Sequence, residues 1–144
     1  MVSAKSYEAY PTDELNSNLA YNPYTFLHVI HPGHKYHKQD VTGEKRFKLV
    51  HNRYLEFKED QIFLQDEIPS FYIYHKQTPT HSFCGIIAAS SVEDYHNNVI
   101  KKHERTLKKR ELLFENYLKN TGFNAEPVLL TYPDDHTIEN IINK

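Results

Sequence analysis

Phe71-Tyr72-Ile73-Tyr74-His75-Lys76-Gln77-Thr78-Pro79-Thr80-His81-Ser82-Phe83-Cys84-Gly85-Ile86-Ile87-Ala88-Ala89 decides the fold class. Residues 71–76 alternate in polarity and are rich in aromatic and β-branched side chains, the pattern of a strand. Gln77-Thr78-Pro79-Thr80 supplies turn chemistry, and residues 82–89 form a second run, more apolar and expected to be more buried. Together they predict a β-hairpin. His75 and His81 sit near facing strand ends, so a cross-strand contact is expected, with a ligand pair as the alternative. Cys84, inside the second strand, is expected to be a buried, inert thiol.

Outward from the hairpin the period changes. Over about residues 42–59, Phe47, Val50, Tyr54 and Phe57 recur at spacings of three and four, while Glu44, Lys45, Lys48, Asn52, Glu56 and Lys58 take the other faces. That is an amphipathic helix, safest over 44–59. A second helix is expected over 104–120, lined by Leu107, Phe114 and Leu118 and ended by Thr121-Gly122. Shorter helices are expected after Thr12, as a cap, after Ser91, and from Asp134-Asp135-His136-Thr137 towards Lys144. Residues 24–30 and 128–132 read as buried strands, and 31–40 as a loop around Pro32-Gly33. The expected fold is α+β: a mixed sheet of about four strands with two main helices, a single fragment over residues 1–144 of a larger domain.

Composition narrows the function classes. The chain has 144 residues, enough for one domain. A formal charge of −2 gives no global basic field, so nucleic acid is a disfavoured partner. With one cysteine, no disulfide can form within the chain, and any zinc site would rest on histidine and carboxylate. No apolar run approaches the roughly 20 residues that span a bilayer, and no signal peptide opens the chain, so no membrane partner is expected and the cytoplasm is the simplest compartment.

The densest chemistry lies in Ile100-Lys101-Lys102-His103-Glu104-Arg105-Thr106. On a helix Lys101, Arg105, Lys108 and Lys109 would share a face able to meet phosphates. Glu104 is the candidate for metal coordination or general base, His103 for orienting a ligand oxygen. Lys101, Lys102 and Arg105 are candidate phosphate ligands, and Thr106 is either ligand or helix cap. The alternative is a solvated basic helix face with Glu104 as its counter-charge. His28, His31, His34 and His37, spaced by three, offer zinc ligands or solvated loop histidines. Pro133-Asp134-Asp135-His136 offers site carboxylates or a helix cap. No Gly-x-Gly-x-x-Gly, Walker or Gly-x-Ser-x-Gly motif occurs.

Several segments in order resemble the prokaryotic domain-of-unknown-function family 1015. They are Asn22-Pro23-Tyr24-Thr25-Phe26-Leu27-His28-Val29, Pro69-Ser70-Phe71-Tyr72-Ile73-Tyr74, Gly85-Ile86-Ile87, Asp94-Tyr95, Ile100 to Thr106, and Pro127-Val128-Leu129-Leu130-Thr131-Tyr132. The Ile-Lys-Lys-His-Glu-x-Thr run is the most specific. Lys5-Ser6 stand where family prolines are usual, and Lys108-Lys109-Arg110-Glu111 where acidic and Asp-Arg positions are common. Family members are longer, with a downstream Asp-Gly-His-His-Arg segment similar to ParB-like and sulfiredoxin-like nucleotide-binding proteins. The resemblance therefore implies an N-terminal piece whose partner is the missing C-terminal part of the same protein. It also implies a nucleotide-dependent kinase of a small hydroxyl metabolite such as serine, with ATP or ADP and Mg²⁺ as cofactors. The rivals are a non-catalytic module binding an anionic small-molecule ligand, and a ParB-like nucleic-acid binder.

Overall fold

A computed structural model describes residues 10–36, 41–103, 106–125 and 127–142. In chain order its elements are α1 (Thr12–Tyr21), α2 (Leu27–Ile30), α3 (Gly33–Tyr36), α4 (Gly43–Glu59), β1 (Tyr72–Gln77), β2 (Ser82–Ile87), α5 (Val92–His96), α6 (Lys108–Thr121) and α7 (His136–Ile142). The class is α+β, as expected. The chain divides into two compact units, Met1–Gln65 with Thr106–Phe123, and Asp66–Arg105 with Asn124–Lys144.

The first unit is helical. α1 begins with Pro11, not Thr12, at its N-cap, and no side chain caps it. Proline suits this place because its fixed φ leads into the helix while its missing N–H would have no helical acceptor. Leu15 and Leu19, four apart, put one buried stripe against Leu27.

The strand expected over residues 24–30 is instead a turn followed by α2. The Tyr24 N–H is held by Asn22 Oδ1 at 3.0 Å, which bends the chain immediately after Pro23. In a strand, Leu27 and Val29 would face the same way. Here Leu27 joins Leu15 and Leu19, whereas Val29 joins Val50 and Phe57. Two apolar surfaces on different sides favour one helical turn over an extended run; a short apolar sequence fits either. Part of the expected loop after His31 likewise winds into α3.

α4 matches its expected span to within one residue at the N-terminal end. Phe47, Val50 and Phe57 are buried, and Tyr54 packs beside them. Past the helix, the N–H groups of Ile62 and Phe63 donate to Phe57 O at 2.9 and 3.1 Å. This reversal sets the Phe63 ring 5.2 Å from that of Phe57. α6 starts at Lys108, four residues later than the sequence predicts, with Leu107 at its N-cap and no side-chain cap. It ends where expected, at Gly122, whose φ of 75° is left-handed backbone that glycine adopts without penalty. That ending turns Phe123 onto Tyr54, stacked with centroids 4.4 Å apart, while Tyr117 meets Phe47 edge-on at 5.3 Å.

The second unit carries the hairpin. β1 and β2 pair antiparallel in the register Tyr72↔Ile87 through Gln77↔Ser82, closed by Thr78, whose N–H donates to His81 O at 2.7 Å. The four-stranded sheet is not formed: among the described residues these two strands are the whole sheet, and residues 128–132 take no regular structure. Nor is β2 more buried. Both strands are exposed, because a two-stranded ribbon without a covering layer leaves both faces in water. Cys84 is exposed for the same reason, contrary to expectation. The Ser91 cap of α5 is present, its hydroxyl oxygen accepting from the N–H groups of Glu93 and Asp94. Asp135 caps α7, accepting at Oδ1 from Thr137 N–H at 2.8 Å and Ile138 N–H at 3.3 Å. Among the described residues no helix is long and apolar enough to cross a membrane.

Candidate functional site

After α5 the chain is gathered by one carbonyl: Asp94 O accepts from the N–H groups of Val99 at 2.9 Å and Ile100 at 3.2 Å. Asn98 takes a left-handed φ of 59°, a conformation Asn tolerates better than most residues. This turn delivers Lys101, Lys102 and His103, all exposed and outside regular structure. Lys102 Nζ stands 4.1 Å from the centroid of the Tyr95 ring, a cation–π contact that orients the ammonium. Glu104 and Arg105 lie outside the described residues.

Thr106 belongs to the other unit, and its hydroxyl donates to Glu111 Oε1. It is not the cap of α6, a position Leu107 holds. The shared helical face also fails. Lys101 precedes α6 by a full seven positions of non-helical or undescribed chain, so helical phase does not relate it to Lys108 and Lys109. Lys101, Lys102 and His103 belong to one unit, and Thr106 and the α6 lysines to the other.

The histidine series resolves differently. His28 is 6% exposed on α2, neither a strand residue nor a solvated loop residue. Its Nε2–H donates to Asn22 O at 3.2 Å, which fixes the tautomer, and its Nδ1 is buried with no hydrogen-bond partner. The His34 ring lies 5.4 Å away, inclined by 57°. Burial, then Arg53, then His34 hold the His28 imidazole below its ordinary value. Burial, with Arg46 and His34, does the same for His31. His37 lies outside the described residues. Two neighbouring imidazoles could begin a transition-metal site, but among the described residues no three His, Cys, Asp or Glu groups converge. The guanidinium beside His28 also opposes a second cation there.

His75 and His81 do not face each other. His75 pairs with Cys84 and shares a 2.7 Å hydrogen bond with Ser82 Oγ. His81 precedes β2, hydrogen-bonds Thr80 Oγ1 at 2.8 Å and stacks near Phe83 at 6.0 Å. Asp135 is occupied as a cap, and the Thr137 and Ile138 N–H groups hold its carboxyl below the usual range. His136 Nδ1 lies 3.2 Å from Glu139 Oε2 on the same short helix.

One network escaped sequence reasoning. Glu56 Oε2 accepts from both Arg53 Nη1 and Lys35 Nζ, the latter at 2.5 Å, joining α3 to α4. The three-residue spacing of Arg53 and Glu56 was a usable signal; the 21-residue separation of Lys35 was not.

These features define a small α+β chain with a buried helical unit, an exposed hairpin unit and a cationic turn. The chain belongs to the family described as Protein of unknown function (DUF1015), whose model matches residues 1–144. No curated protein and no solved structure matches it.

Proposed function

We propose that Lys101, Lys102 and His103, with Glu104 and Arg105 next in sequence, serve a phosphate-bearing small molecule. The reaction we assign to that site is transfer of a phosphoryl group from ATP or ADP, with Mg²⁺, to a small hydroxyl metabolite such as serine. One observation supports the binding half above all: two consecutive lysines are exposed with no carboxylate partner among the described residues, and Lys102 is oriented by Tyr95. Unpaired ammonium groups suit phosphate oxygens. A magnesium ion would need a carboxylate, and Glu104 is the one in this run. The reaction half is supported by the resemblance of the Ile100–Thr106 run.

The test incubates the protein with ATP or ADP, Mg²⁺ and serine, then a panel of hydroxylated metabolites, and assays phosphorylated product. Turnover is expected, with Glu104→Gln lowering it and Lys102→Ala weakening nucleotide binding roughly tenfold, the loss of one charge-assisted contact. Nucleotide binding without turnover on any substrate would make the protein a non-catalytic anion-binding module. Neither binding nor turnover would remove the site.

A further inference from the structure

The geometry points to an acid-operated clasp in the helical unit: α2 is seated by the buried imidazole of His28, and protonating it releases α2 from α1 and α4.

α2 is a single turn with a side chain committed in each direction. Leu27 enters the cluster of Leu15 and Leu19 on α1, and Val29 enters the cluster of Val50 and Phe57 on α4. His28 lies between these two anchors. Its Nδ1 is buried with no hydrogen-bond partner, so a proton added there puts a charge into the interior that the Asn22 and Leu19 backbone offsets only in part.

Among the described residues, the groups that act on the His28 imidazole are cationic or neutral. From α4, Arg53 faces it, and the neighbouring Arg46 Nη2–H donates to Ile30 O at 3.2 Å. From α3, His34 faces it. From the α1 side come backbone groups of Leu19 and Asn22. The carboxylate in this network, Glu56, is already engaged by Arg53 and Lys35. A new positive charge on His28 thus meets a guanidinium and a second imidazole, with burial as the largest cost.

The sign follows from linkage. The His28 imidazole sits below its ordinary value in the folded chain, whereas a released α2 returns it to about 6.5. The open form binds more protons, so the clasp is fully closed above about pH 6.5 and loosens as pH falls through the lowered folded value. The proton changes the opening equilibrium by up to about tenfold per pH unit. Opening should be local, because α2 has one turn of hydrogen bonds to lose while α4 has four to five.

Amide hydrogen exchange between pH 5 and 8, corrected for intrinsic rates, reads this directly. The amides of Val29, Ile30 and His31 should show an opening constant that rises by up to about fivefold between pH 6.5 and 5.5. The Val50 amide on α4 should stay protected. His28→Gln keeps an N–H for Asn22 O but cannot titrate, and should remove about one proton from the slope. His96→Gln, on exposed α5, should leave it unchanged. Parallel opening of α2 and α4, or an unaltered slope in His28→Gln, overturns the proposal. Should His28→Gln not fold, the imidazole resonances of the unsubstituted chain decide: His28 titrating at or above about 6.5 while folded also overturns it.

Discussion

At the residue scale, the largest single contribution is expected from Phe57. It is 0% exposed, stands at the centre of the α4 cluster, and carries the Arg53 guanidinium 4.7 Å from its ring centroid. Phe57→Ala should cost about 3–5 kcal/mol, the range for emptying a buried aromatic site. Denaturant unfolding would show it as a lower midpoint, and a loss below about 1 kcal/mol would mean the cluster collapses freely around the gap. Gly122 makes a different point. A Cβ added there would meet only His51, at 3.7 Å, which is ordinary contact. The cost of Gly122→Ala must therefore be conformational, about 1–2 kcal/mol, and Gly122→Asn should recover part of it because Asn visits left-handed backbone more readily. Equal losses for both variants would place the cost in packing against His51 instead.

At the element scale, α6 opens awkwardly. Lys108, Lys109 and Arg110 occupy the positive end of its dipole, and no side-chain cap offsets them. Lys108→Glu is therefore expected to stabilise the chain by about 0.3–1 kcal/mol at low ionic strength, with the gain fading in about 1 M salt. A gain that survives high salt would have another cause. The helices also show what the sequence disclosed. α4 and the end of α6 were readable because a long periodic stripe and a terminal glycine are local signals. α2 was misread because its seven-residue apolar neighbourhood is compatible with strand or helix, and the choice is made by Leu15, Leu19, Val50 and Phe57, none of them adjacent in sequence. The candidate site was legible as a list of side chains. Its division, with Lys101 to His103 on one unit and Thr106 on the other, depends on where α6 begins, and helix ends are the least certain part of any periodic pattern. The strand expected at 128–132 pairs with no other strand among the described residues, and pairing is something composition alone does not reveal.

At the scale of the whole molecule, the two units differ in how they are held. The helical unit has two buried clusters, whereas the hairpin unit has no buried residue among those described. Two-stranded ribbons are marginal in water, so the amides of β1 and β2 should exchange far faster than those of mid-α4. Equal protection would show that the hairpin is covered in solution. Tyr72, Tyr74, Phe83 and Ile87 line one side of the ribbon and Ile73 and Ile86 the other, an arrangement apolar on both faces. On the second of these faces sits the one cysteine of the chain, with its side chain open to solvent. That makes the molecule a ready-made spectroscopic instrument. A maleimide dye will attach at a single known position without any engineered mutation. Its emission will then follow whatever approaches the ribbon, while the helical unit remains chemically untouched.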